Sequence, residues 1–495
     1  MTQARGPRAR LGAVLAALLG AMTGCGGAGP TRPAPSVATP PAAVDARPAT
    51  VAEPAPRPAP VDPAARRAAD AAAALARLPE VQAKLAVLRQ LAFKRPVPAA
   101  AQSVADFRKH IEAELPRELP PALAAATSTA LAQLGVLRAP IDLAGAITDA
   151  LATQAAAYYD STAKAFYIVM VQGDPVTADT FNAHELVHAL QDQHFDLGAY
   201  YQQQLPREQR TLSEDETNAR MFVVEGDATF SMFAYQAAAS GSDLLSPAAR
   251  PFARTLFATV AAQTPDQLAE AAKVQAASAT DEDSKRSAEA LARIPLYLRV
   301  PLTSAYFKGA LPIAVAYERG GWAEVATLYT RPPESTEQLL HPDTKLIGTR
   351  DLPATIVLPK IAGLSPVHGD VLGELLWQVY FWEWTKGGAD AAAAGWDGDR
   401  YQVMRDGDGQ LVGLMATTWD SVAEATEFEA AYRASLAARF PDGTPATATG
   451  LVARNRPDGS AVYLQRRGVD VFIADGARDS TVIGRLAKGT RITRR

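Results

Sequence analysis

Two histidines four residues apart with a glutamate beside the first, His184-Glu185-Leu186-Val187-His188, constrain this chain more than any other feature of it. On a helix, positions i and i+4 lie one turn apart on one face. Two imidazoles placed there can reach one metal ion at about 2.0–2.1 Å. Glu185 comes next along the helix, where its carboxylate can touch a water and act as a general base. The chain of 495 residues holds only 6 histidines. An accidental match is expected well below ~0.01 times on such a composition, so the pentapeptide reads as a site. Two imidazoles do not complete one: a third protein ligand is needed, and the fold must bring it across from further along the chain.

Two candidates compete for that place. His194 has the spacing HExxHxxGxxH, but Gln191 stands where that pattern has a glycine. Gln191 lacks the backbone freedom to turn the chain back. On a continuing helix His194 lies about 240° round from His188, at roughly 100° per residue, and faces away. The other candidate is Glu225, in Val223-Val224-Glu225-Gly226-Asp227-Ala228. It falls midway along a helix expected from about 213 to 236, opened by Ser213 and Glu216 as a capping box. Its apolar neighbours Met221, Phe222, Val223 and Val224 argue for burial. Gly226 and Ala228 are small enough for that helix to approach the HExxH helix closely. Glu225 is the preferred ligand.

Around this centre the patterning is mostly helical. Leu75, Leu78, Val81, Leu85 and Leu88 recur at helical spacing, with Pro79 expected to separate two helices. Further helices are expected near 103–115, 118–134, 246–272, 301–318 and 370–384. A β-hairpin is expected over 155–170, with Asp160-Ser161-Thr162 as its turn. Its return strand, 165–170, is the expected edge for an extended peptide. Gly173-Asp174-Pro175 ends it before the HExxH helix, expected to begin near Thr177.

Arg5, Arg8 and Arg10 precede an apolar run from Leu11 to Met22, too short to span a bilayer, and Thr23-Gly24 lead into Cys25. This resembles a lipoprotein signal peptide, with residues 1–24 removed and Cys25 lipidated. Cys25 is the only cysteine, so disulfides are excluded. Residues 25–63, rich in Pro and Ala, read as a disordered tether. The expected localisation is therefore the cell envelope, with the membrane reached through the N-terminal lipid.

Residues 64–386 read as the helical catalytic domain and 387–495 as a smaller α+β accessory domain. In the latter, strands flank Asp406-Gly407-Asp408-Gly409, and a helix is expected near 420–438. That tetrapeptide lacks the downstream Glu of a calcium loop and reads as a hairpin turn. A net charge of -4 with both signs well represented excludes a polyanion-binding surface, so nucleic acid is not an expected partner.

His184-Glu185-Leu186-Val187-His188-Ala189-Leu190-Gln191-Asp192-Gln193-His194-Phe195, with Glu225-Gly226-Asp227-Ala228 further on, resembles a group of bacterial gluzincin-like proteins, many of them exported. Pro332-Pro333-Glu334-Ser335-Thr336-Glu337-Gln338 with Leu340-His341-Pro342 resembles the same group, and Trp419-Asp420 with Glu427-Phe428-Glu429 does so more loosely. The resemblance spans about 150–430 and implies an α+β, mostly α-helical, zincin-type fold with a small edge sheet. It implies zinc held by His184, His188 and Glu225, with Glu185 as catalytic base, and no particular substrate; the substrate expected for a zinc-activated water here is a peptide or protein. His341 and Tyr306 are candidate oxyanion donors, although His341 also suits a helix C-terminus before Pro342. His368 is a candidate of the same standing as Tyr306, and His110 reads as surface. The competing expectation is a non-catalytic envelope binding or assembly lipoprotein on the same scaffold.

Overall fold

The structure is a computed structural model and describes residues 63–154, 156–169, 175–206, 209–278, 293–385, 387–444 and 451–495. The signal segment, Cys25, the tether up to Val61-Asp62 and the Gly173-Asp174 turn lie outside them. No helix among the described residues is long and apolar enough to cross a membrane.

The architecture is mixed α+β, with helices dominating and the strands gathered into small sheets. Seven helices frame the candidate site and the larger sheet: α1 (Pro63–Arg89), α2 (Pro175–Phe195), α3 (Glu214–Ala239), α4 (Leu296–Thr330), α5 (Thr336–Leu340), α6 (Gly373–Trp384) and α7 (Val422–Arg439). A three-stranded sheet joins β1 (Ala99–Ala101), β2 (Ala157–Asp160) and β3 (Ala165–Ile168) in the order β1-β3-β2. A two-stranded ribbon pairs β4 (Thr355–Val357) with the last strand, β11 (Arg491–Thr493). Between them in sequence lie β5 (Ser365–His368), β6 (Trp396–Arg405), β7 (Leu411–Trp419), β8 (Val452–Asn455), β9 (Ala461–Arg467) and β10 (Asp470–Ala477). These form an antiparallel sheet ordered β5-β6-β7-β10-β9-β8. Its first strand precedes residue 387, where the sequence places the start of the accessory domain. One hydrophobic cluster runs from Phe222 and Ile313 in the helices to Phe428, Val471 and Ile473 beside the sheet.

Several boundaries differ from the sequence expectation for identifiable reasons. Pro79 does not divide α1, because Leu78, Val81 and Leu85 on either side of it stay buried on one face. The helix expected over 246–272 is two, Arg250–Ala261 and Pro265–Ser278. Thr264 and Gln267 cap the second reciprocally, Gln267 N–H to Thr264 Oγ1 at 3.2 Å and Thr264 N–H to Gln267 Oε1 at 2.8 Å. Pro265 occupies the first helical position, which suits its missing N–H. The helix expected over 301–318 extends to Leu296–Thr330, kinked at Gly320 and Gly321. Strand 165–168 is not an edge: β1 pairs with it in parallel, Ala99 opposite Phe166, which makes β3 central and leaves β2 at the rim.

Candidate metal centre

α2 is buried on more than one side. Ala183, Leu186, Val187 and Leu190 pack with Leu78, Val81 and Leu85 of α1 and with Phe166 and Ile168 of β3. His184, His188 and Gln191, at i, i+4 and i+7, are thereby left facing α3. The Ser213/Glu216 capping box that opens α3 is formed, and its axis carries Glu225 to this face. Gly226 does not serve the approach of α3 to α2, as its small size suggested. A Cβ there would lie 2.1 Å from the carbonyl oxygen of Gly309, so Gly226 permits the close crossing of α3 with α4. Ala228 is the small residue that packs toward α2.

The nitrogens converge on one carboxylate oxygen. His184 Nε2 is 3.2 Å and His188 Nε2 3.6 Å from Glu225 Oε2, and the rings stand nearly perpendicular at 83°. Donor atoms of His184, His188 and Glu225 lie within 4.8 Å of one another, a spacing that a single metal ion can bridge. All three residues and Glu185 are 2 % exposed or less. Yet both Glu185 oxygens, Glu225 Oε1 and His188 Nε2 have no hydrogen-bond partner among the described residues. Buried polar atoms ordinarily find partners, and one left alone costs about 1–3 kcal/mol. Several such atoms in one cluster, all anionic or imidazole, fit a bound cation.

The electrostatics follow from this burial. Loss of water raises the Glu185 pKa to about 8, with His188 opposing and Glu225 reinforcing the shift. Burial lowers the affinity of His188 for a proton, but the adjacent Glu225 more than reverses this and sets it near 9. Burial lowers His184, against the pull of Glu225. Burial acts to raise Glu225, but the two histidines outweigh it and hold its pKa below the ordinary value.

His188 is oriented from behind. Its Nδ1 lies 2.8 Å from Gln191 Oε1, so an N–H there leaves Nε2 free to ligate. Gln191 is itself fixed: its amide nitrogen donates to the Val224 carbonyl at 2.9 Å and approaches Asp227 Oδ2 at 3.3 Å. Asp227 receives Arg89 at 2.8 Å and the Tyr329 hydroxyl at 2.8 Å. Arg89, the last residue of α1, lies over the Trp322 ring. Gln191 is therefore a supporting residue, a role the sequence reading did not give it. The available signal was its position three residues after His188 on the same face.

The other candidates are scattered. Tyr306 stacks face to face on His184, with ring centroids 5.3 Å apart at 13°. His341 is not brought to this group; its Nε2 sits 3.0 Å from each Glu374 oxygen, in a cavity whose walls include none of the four central residues. His194 Nε2 lies 2.8 Å from the Ala92 carbonyl and turns away from Glu225. His110 approaches Asp160, and His368 packs near Tyr401. A second carboxylate group, Glu337, Asp351 and Asp420, gathers around the Lys345 ammonium, which already supplies its positive charge.

β2 runs beside the centre, the Tyr159 backbone lying against Glu185. Phe166 donates its N–H to Pro98 on the β1 side at 2.8 Å. Its partner Tyr159 consequently occupies a non-hydrogen-bonded position and turns its own N–H and C=O to the outer side of β2. The Tyr159 hydroxyl, donating to Asp192 at 2.8 Å, ties the strand to α2.

A search of curated proteins finds no match to the chain, and a search of solved structures finds none either. Residues 363–485 match the model of a domain of unknown function, DUF8575, which covers β5 to the helix after β10 and none of His184, Glu185, His188 or Glu225.

Proposed function

We propose that the chain is a zinc-dependent metallopeptidase of zincin type, its ion held by His184, His188 and Glu225. The observation that carries this reading is the convergence of three buried donor residues, His184, His188 and Glu225, of which His188 Nε2 and Glu225 Oε1, like both oxygens of Glu185, have no hydrogen-bond partner among the described residues. Zinc supplies a Lewis acid there, polarising a scissile carbonyl and bringing the pKa of a water toward ~7. Glu185 takes the proton of the attacking water and delivers it to the leaving amine; its burial makes it a stronger base than an exposed glutamate. An extended peptide adds to the outer side of β2, meeting the N–H and C=O of Tyr159. Tyr306, whose ring stacks on His184, would stabilise the developing oxyanion through its hydroxyl. Since the four central residues are almost wholly buried, substrate entry requires a local opening of the structure.

The decisive variant is Glu185→Gln. The wild-type chain, purified without chelator, should carry about one zinc and cleave denatured protein substrates. Glu185→Gln should keep the zinc while hydrolysis falls by about 10²–10⁴-fold. A wild-type chain without metal would end the proposal. Metal without hydrolysis would favour the envelope binding lipoprotein instead.

A further inference from the structure

On the other side of α4 lies a cavity of about 360 Å³. Tyr306 faces His184, whereas Lys308, two residues on and about 200° round the helix, enters the cavity wall. Leu311, one turn further, lies beside it with Leu339 and Leu340 of α5. Its polar side is built from His341, Glu374 and Gln378, and the exposed Asp390 stands at the rim. A volume of this size falls in the range of small-molecule sites, which are apolar with a few placed polar groups.

The ionisable groups inside are partnered unequally. Glu374, 1 % exposed, lies against His341 Nε2 through both oxygens and accepts from the Gln378 amide at 3.2 Å. The His341 ring, whose pKa the bond to Glu374 raises, is the partner of this carboxylate. Lys308 has no such partner. Its Nζ meets Gln378 Oε1 at 3.5 Å, the one hydrogen bond it makes among the described residues, and stands 5.6 Å from the Trp382 ring centroid. Burial pushes its pKa down, only partly offset by Asp390 and Glu374. A half-buried ammonium with one long hydrogen bond, and no carboxylate within ion-pair distance among the described residues, faces a cavity with an apolar side.

We propose that this cavity binds a small organic monocarboxylate, its carboxylate on the Lys308 ammonium and its apolar body against Leu311, Leu339 and Leu340. Asp390 at the mouth and Glu374 behind disfavour more highly charged anions such as phosphate. The site stands apart from the metal centre and does not depend on the peptidase reading.

Titration calorimetry of the full chain with acetate, butyrate, hexanoate and inorganic phosphate tests this. The chain is first treated with phenanthroline, so that carboxylates held by a metal are not counted. Hexanoate should bind saturably at about one per chain, and affinity should rise with chain length by up to about 4-fold per methylene. Phosphate should not compete. Lys308→Met should weaken hexanoate at least tenfold. Should that variant not fold, Leu311→Trp, which fills the cavity while keeping the ammonium, should abolish hexanoate binding and leave the thermal transition near wild type. No saturable hexanoate binding by the folded wild type, or equal binding by a folded variant, would overturn the proposal.

Discussion

Two buried carboxylate centres in this molecule are built in opposite ways. Asp399, on β6, accepts four N–H groups: the backbone of Leu372 and Gly373, each at 2.9 Å, the Trp396 indole at 2.9 Å and the Trp377 indole at 3.2 Å. Burial still raises its pKa, to about 6, against the pull of those donors. Glu185, buried as deeply, has neither oxygen hydrogen-bonded, and Glu225 has one oxygen turned to two histidines and the other unpartnered. Burying charge is costly unless donors or counter-charge replace the lost water. At Asp399 the fold supplies that replacement and locks the start of α6 onto the sheet. At Glu185 it supplies little, and at Glu225 the counter-charge is the His188 ring, whose proton a metal ion at that nitrogen would have to displace.

The contrast predicts that the two centres fail differently. Glu225→Ala should weaken zinc by more than the 10–100-fold that loss of a ligand's support costs, on the order of 10³-fold, because the ligand itself is gone. The metal-free melting temperature should fall as well, since the buried His188 ring loses its counter-charge, so the loss of zinc is the distinguishing result. His194→Ala in parallel should leave zinc affinity unchanged, as its Nε2 is turned to Ala92. Asp399→Ala should differ in the metal: it strands four N–H donors and should lower stability by about 3–5 kcal/mol while zinc stoichiometry holds. Calorimetric unfolding of both variants, with and without metal, separates the two. Equal loss of zinc from both would erase the distinction drawn between them.

How much of this could be read beforehand depends on how local each feature is. The HExxH geometry is written within one helix, and Glu225 was reachable because its neighbours Met221 to Val224 are apolar and its capping box marks the helix that carries it. The Asp227 network was not legible, because it joins Arg89 to a residue 138 positions away and relies on α1 packing against the core. β1 was missed for a different reason. Ala99-Ala100-Ala101 has little strand propensity and pairs through its backbone alone, so nothing in its side chains announces it. That short parallel strand moves the sheet edge from β3 to β2, and the expected peptide-binding strand moves with it. Pro79 misled because a proline costs a helix one hydrogen bond, and the burial of Leu78, Val81 and Leu85 outweighs that loss.

The smallest predicted effect probes the seam between the two kinds of centre. Gln191 belongs to both: its nitrogen sits in the satisfied network of Asp227, and its oxygen fixes the ring of an underpartnered histidine. If its role is to hold the Nδ1 proton of His188 and so present Nε2 outward, then Gln191→Leu should keep the volume and lose the function. Zinc affinity should fall by about 10–100-fold. The metal-free chain should lose about 1–3 kcal/mol of stability, because the His188 Nδ1–H is left without its acceptor while Asp227 keeps Arg89 and Tyr329. An imidazole nitrogen NMR titration of the metal-free protein supplies a readout that packing alone would not move: the His188 ring should release its proton at a lower pH, because the Gln191 acceptor helps to hold that proton, while His184 stays as it was. An unchanged His188 spectrum with unchanged zinc affinity would mean that the ring is aimed by helix packing alone, and that the Asp227 network serves stability only.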